Sequence, residues 1–128
     1  MSPAELIAIA RKAQERAYAP YSGFKVGAAL LSSTGNVFTG VNVENSSYGL
    51  TVCAERVAVF KAVTAGEKDF SCIAITASGN GYVYPCGACL QVLQEFSPDL
   101  KLIISDEKNN YKEYNLNQLL PRAFMLQS

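Results

Sequence analysis

The spacing of apolar positions changes period several times along the chain, and each change marks an element. Leu6, Ile9, Ala10, Ala13 and Ala17 recur at helical spacing behind Ser2-Pro3-Ala4-Glu5, a capping box with proline at the first helical position. This predicts a first helix running to about Tyr18. Ala19-Pro20-Tyr21-Ser22-Gly23 breaks it, and Phe24, Val26, Ala28 and Leu30 then alternate as a half-buried strand beginning at Phe24. A turn at Ser33-Thr34-Gly35-Asn36 leads to Val37-Phe38-Thr39-Gly40-Val41, so the two strands read as a hairpin. From Asn42 to Leu50, Asn, Glu, Ser and Gly occur without periodicity, which reads as a loop of the kind that holds ligands. Thr51 is the expected cap of a second helix, which carries Cys53 in its first turn and Val57, Phe60, Lys61 and Val63 beyond, and which Gly66 ends. Cys72-Ile73-Ala74-Ile75 and Lys101-Leu102-Ile103-Ile104 are continuous apolar runs of the fully buried type, and a helix opened by Pro85 and running through Phe96 lies between them. That rhythm predicts parallel pairing. Tyr111 to Tyr114 reads as an edge strand and Leu116 to Leu120 as a short last helix stopped by Pro121. The expected fold class is α/β: a three-layer mixed β-sheet of about five strands covered by helices, with Cys53 and Cys86 on adjacent helix N-termini.

Composition narrows the function classes. The 128 residues suit one compact domain spanning 1–128. Eleven basic and eleven acidic residues cancel and neither sign forms a run, so no nucleic-acid partner is expected. No stretch is apolar enough to span a membrane and no signal-peptide pattern opens the chain, so no membrane partner and a cytoplasmic location are expected. In that setting the four cysteines point to metal or catalysis rather than disulfides. The absence of histidine removes the commonest ligand and general base, so any metal chemistry here must use cysteine and carboxylate.

Two short stretches can supply both. Pro85-Cys86-Gly87-Ala88-Cys89 places two sulfurs within reach of one zinc ion, and Cys53 adds a third, which leaves a fourth tetrahedral position for water. Glu55, two residues after Cys53, is a carboxylate tethered beside that position. It would take a proton from the water and pass it on to a substrate. Three thiolates give such a zinc site a formal charge of minus one, and a unit charge at about 4 Å contributes roughly 4 kcal/mol at an effective dielectric near 20, which opposes ionisation of the water. Arg56, one turn from Cys53, can hydrogen-bond the sulfurs and recover part of that loss.

With these residues in view, the chain resembles the small, single-domain cytidine deaminases along nearly its whole length. The resemblance is carried by Thr51-Val52-Cys53-Ala54-Glu55-Arg56 and Pro85-Cys86-Gly87-Ala88-Cys89. It extends to Ala19-Pro20-Tyr21-Ser22, Phe24 with Val26-Gly27-Ala28, Asn42-Val43-Glu44-Asn45, and Leu119-Leu120-Pro121 with Ala123-Phe124. It implies one Zn2+ per chain on Cys53, Cys86 and Cys89, with Glu55 as proton shuttle in the hydrolytic deamination of free cytidine and deoxycytidine to uridine and deoxyuridine. Pyrimidine salvage is the implied setting. The resemblance further implies that Asn42 and Glu44 hold the ribose 3′-hydroxyl, that Phe24 packs on the pyrimidine, and that the backbone at Ala54 and Tyr84 contacts the base. A homotetramer is implied in which Phe124 reaches a neighbouring site. The chain departs from the family at Leu90, where arginine is common, and this leaves Arg56 as the cation beside the sulfurs.

Each feature also has an ordinary reading. Cys-x-x-Cys alone serves structural zinc or redox pairs; Phe24 reads as core, Asn42 and Glu44 as a solvated turn, Arg56 as a surface ion pair, and Phe124 as a locally packed residue. Cys72 inside an apolar strand reads as a small core residue. Two alternatives to the nucleoside enzyme remain: a deaminase of another cytosine compound, blasticidin-type or cytidine in RNA, and a non-catalytic zinc-stabilised module. Asn42-x-Glu44 favours a simple nucleoside sugar, zero net charge disfavours RNA, and a structural zinc would need Cys72 as its fourth ligand.

Overall fold

The structure, a computed structural model, describes residues 1–126. The described residues form helix α1 (Pro3–Gln14), strands β1 (Val26–Ser32) and β2 (Val37–Val41), helix α2 (Ala54–Thr64), strand β3 (Phe70–Ala77), helix α3 (Gly87–Phe96), strands β4 (Lys101–Ser105) and β5 (Tyr111–Asn115), and helix α4 (Leu116–Leu119). The strands make one mixed sheet in the order β2-β1-β3-β4-β5, with β3 and β4 parallel and the other neighbours antiparallel.

The central strands are apolar on both faces because both faces are covered. Leu30, Ile73, Ile75, Leu102 and Ile104 point to the side of α2 and α3, where they meet Ala58, Val59, Leu90 and Leu93. Ala29, Ala74 and Ile103 point to the other side, against Leu6, Ile7 and Ala10 of α1. Small residues under α1 let that helix approach closely. Gly27 completes the fit, since a Cβ there would lie 2.2 Å from the Ala10 carbonyl oxygen. Gly40 does the same on the opposite face: its Cβ would lie 2.2 Å from the Ala54 carbonyl oxygen and 2.5 Å from the Ala58 nitrogen. The first turn of α2 therefore rests directly on β2.

The α/β sandwich, the hairpin, the parallel crossover and the Tyr111 edge strand match the expected architecture. Several boundaries differ. The first helix stops at Gln14 instead of Tyr18, because Tyr18 pairs with the Asn42–Glu44 segment: its N–H donates to the Asn42 carbonyl at 3.0 Å and its carbonyl accepts from the Glu44 N–H at 2.9 Å. The strand expected from Phe24 begins at Val26. Thr51 does not cap α2, since Val52 bridges to Val43 and the Thr51 hydroxyl accepts from the Asn45 N–H at 3.2 Å, so the cap falls to Cys53. Pro85 likewise precedes the helix and Cys86 caps it.

Candidate active site

Cys53 and Cys86 are the N-caps of α2 and α3, both in extended backbone conformation and neither spending its side chain on a capping hydrogen bond. Their sulfurs are thus not engaged in capping and sit at the N-terminal ends of two helices. Cys89 lies one turn into α3, buried, with the Cys86 Sγ donating toward its sulfur at 3.6 Å. The sulfurs of Cys53, Cys86 and Cys89 all lie within 4.8 Å of one another. Three converging soft donors on two rigid helices suit zinc. Among the described residues no other group of this kind occurs.

The proton inventory fits a metal site. The Cys53 thiol is drawn down to about 5, first by the hydrogen bond from Cys89 and then by Arg56, while Cys89 is pushed far up by the same bond and by burial. A bound cation would take the place of thiol protons in such a cluster. The Arg56 Nη2 donates to the Cys53 Sγ at 3.5 Å, and its Nε is buried with no partner among the described residues. Contact with the Cys53 sulfur replaces the ordinary expectation of a surface ion pair. Glu55 is 4% exposed, and burial chiefly, with the Cys53 thiolate adding, pushes its carboxyl up to about 7; the Cys89 thiol and Arg56 act the other way. Ala54 between them is fully buried, and its N–H belongs to the first helical turn, which no intrahelical carbonyl reaches.

Asn42 and Glu44 meet around the Phe24 loop. The Asn42 Nδ2 donates to the Phe24 carbonyl at 2.8 Å and its Oδ1 accepts from the Val26 N–H at 2.9 Å. The Glu44 Oε1 accepts from the N–H groups of Tyr21 and Ser22, its Oε2 accepts from the Ser22 hydroxyl, and the Ser22 Oγ in turn accepts from the Phe24 N–H at 2.9 Å. These contacts hold the Glu44 carboxyl below the usual carboxylate range, Ser22 being the main cause. The Phe24 ring lies against Gly79, where a Cβ would approach it to 2.8 Å. Tyr84 lies on the segment leading to Cys86 and shares a hydroxyl hydrogen bond with Tyr114. Phe124 is clamped by its backbone: its N–H donates to the Gln91 Oε1 at 3.1 Å and its carbonyl accepts from the Gln91 Nε2 at 2.8 Å, while the residue is 72% exposed. The residue is thus held locally through its backbone and left largely exposed.

Ser22, Gly40, Gly79, Gln91 and Tyr114 were not legible as site residues. Each acts through contacts with residues distant in the sequence, which no local motif signals. Leu90 is buried in the apolar cluster beneath the site. Cys72 packs on the α1 face of the sheet, opposite the metal helices, and burial pushes its thiol up to about 11. It cannot be the fourth ligand that a structural zinc site would need.

Comparisons with known proteins agree with this geometry. A family model for the cytidine and deoxycytidylate deaminase zinc-binding region matches residues 2–105. A cytidine deaminase of Sporosarcina psychrophila is 46% identical over 97% of this chain and 92% of that protein. One of Halalkalibacterium halodurans is 49% identical over 93% of this chain and 91% of its own length. The crystal structure of cytidine deaminase from Burkholderia pseudomallei superposes with a TM-score of 0.93 at 46% identity, covering 97% of this chain and all of that one. The cytidine deaminase structure from Mycobacterium tuberculosis gives a TM-score of 0.83 at 41% identity, over 95% and 96% of the two chains. With three cysteine sulfurs converging on one point and this similarity running almost end to end, the chain belongs to the zinc-dependent cytidine and deoxycytidylate deaminase family.

Proposed function

We propose that this enzyme hydrolyses the C4 amino group of free cytidine and deoxycytidine, releasing ammonia and leaving uridine or deoxyuridine. One observation carries the reading: a buried carboxyl, Glu55, directed at a cluster of three cysteine sulfurs. Cys53, Cys86 and Cys89 would hold the zinc, which when bound supplies Lewis acidity that makes water nucleophilic at neutral pH. Glu55 takes a proton from the attacking water, delivers it to the ring nitrogen beside C4, and returns a proton to the departing amine. Its burial suits this work, because a carboxyl raised toward neutrality accepts and gives up a proton with little driving force lost in either direction. Arg56 offsets the excess negative charge of three thiolates. Asn42 and Glu44 fix the Phe24 loop and retain hydrogen-bonding capacity for the sugar 3′-hydroxyl, while Phe24, Ala54 and Tyr84 border the base.

The same reading treats residues 1–128 as one domain that assembles as a homotetramer. An open apolar groove of about 640 Å3, lined by Phe38, Val43, Val52, Val57 and Phe60, supports association, as does the exposed Phe124, proposed to enter a neighbour's site. A cytoplasmic setting belongs with the proposal, with three of the four cysteines committed to the metal rather than to disulfides. A simple nucleoside is favoured over cytidine in RNA by the zero net charge. The test is ultraviolet-monitored conversion of cytidine by the purified wild type and by Glu55→Gln. Glu55→Gln is expected to keep zinc and bind substrate while losing at least about 10³-fold in kcat, since one carboxylate serves every proton transfer. An inactive wild type, or a variant retaining a tenth of wild-type turnover, refutes the reading.

A further inference from the structure

Residues 78–86 join β3 to α3, carry Tyr84 and end on Cys86, with no regular structure of their own. The hairpin formed by β4 and β5 holds this segment at three points. The Gly81 N–H donates to the Glu107 Oε2 at 2.7 Å. The Lys112 ammonium lies 4.5 Å from the centroid of the Tyr82 ring. Tyr84 and Tyr114 share a hydroxyl–hydroxyl hydrogen bond of 2.7 Å, with their rings edge to face at 5.6 Å between centroids. The two sides of this last contact differ in how they are anchored. Tyr114 is fixed by the sheet, paired with the buried Leu102 of β4, whereas Tyr84 belongs to no strand or helix. Position is therefore imposed on Tyr84 by Tyr114.

We propose that Tyr114 is a positioning residue for the pyrimidine end of the site, holding Tyr84 through the paired hydroxyls so that the segment beside Cys86 meets the base in a fixed place. The inference rests on the deaminase reading and adds to it a residue from the far edge of the sheet. The metal ligands do not depend on this contact, because α3 is seated independently by Leu90 and Leu93 in the core. Loss of the hydroxyl pair should therefore weaken substrate binding and leave the chemistry at Glu55 and the cysteines in place.

The experiment is steady-state kinetics with cytidine for wild type, Tyr114→Phe, Tyr84→Phe and the double variant, with zinc content and thermal midpoint measured on each. Tyr114→Phe keeps the ring and loses the hydroxyl. It should raise KM by about threefold to tenfold, the worth of one hydrogen bond, with kcat within about twofold and zinc unchanged. The double variant should be no worse in KM than the weaker single variant, because both singles remove the same bond. An unchanged KM in Tyr114→Phe, additive effects in the double variant, or loss of zinc overturns the proposal. An inactive wild type removes the deaminase reading and this inference together, whereas an active wild type with an unaffected Tyr114→Phe removes the inference alone.

Discussion

Asn42 is nearly buried, and its side-chain amide is committed at both ends to the backbone on either side of Lys25. A residue expected to bind sugar thus also builds the loop that carries Phe24. Asn42→Asp is close to isosteric and keeps the acceptor for the Val26 N–H, but it sets a carboxylate oxygen against the Phe24 carbonyl. The expected outcome is a loss of about 1–3 kcal/mol in stability together with a raised KM for cytidine, read by thermal unfolding and kinetics. Unchanged unfolding and KM would show that the amide is dispensable. Arg56 makes a charge argument testable in the same way. Arg56→Gln should retain zinc and lose more than tenfold in turnover at pH 7, and turnover within about twofold of wild type would return Arg56 to a surface role. Leu90→Arg should not rescue it: Leu90 is buried among Ala54, Ala58 and Leu93, so the added guanidinium would be desolvated in the core. Restored activity in that double variant would mean that the new side chain reaches the sulfurs.

Among the elements, the two glycines of the hairpin, Gly27 on β1 and Gly40 on β2, separate stability from function. Gly27 lets α1 settle on one face of the sheet, and Gly40 lets α2 settle on the other. A methyl group at either site meets helix backbone, which cannot move aside as the end of a flexible side chain can. Both Gly27→Ala and Gly40→Ala should cost about 1–3 kcal/mol or more from overpacking. Their functional consequences should differ. Gly40 supports the turn that carries Cys53, Ala54 and Glu55, so Gly40→Ala should also lower zinc content and turnover, whereas Gly27→Ala should lower the unfolding midpoint and leave zinc per folded chain unchanged. Equal zinc loss in the two variants would contradict the division of labour between the faces. Element boundaries follow the same logic of long-range contact. Tyr18 leaves the helical pattern because its backbone pairs with Asn42 and Glu44, and Thr51 gives up the cap because Val52 is held by Val43.

For the molecule as a whole, metal and assembly are the measurable quantities. Zinc should be present at one equivalent per chain, and its removal by chelation should abolish turnover and lower the thermal midpoint, because a zinc ion held by the three sulfurs would join the N-termini of α2 and α3. Less than half an equivalent in protein prepared with zinc, or full activity without it, would exclude the assignment. Sedimentation should give four times the 13.8 kDa chain mass. Phe124→Ala should lower kcat/KM and leave the unfolding of the chain largely unaltered, since the residue is 72% exposed. How much of this was legible in the sequence follows from the range of each interaction. The α/β rhythm, the hairpin, the buried parallel strands and the two separate motifs, Cys53-x-Glu55 and Cys86-x-x-Cys89, are local: period, turn residues and spacing within a few positions encode them, and those signals survive without knowledge of the fold. What the tertiary structure decided is which distant groups meet. It put Cys72 on the α1 face and out of the site, turned Leu90 into the core, gave Gly40 to the metal helix, clamped Phe124 to Gln91 and joined Tyr84 to Tyr114. Such contacts depend on sheet order and register, which bring together residues tens of positions apart, and no one stretch of the chain carries that information.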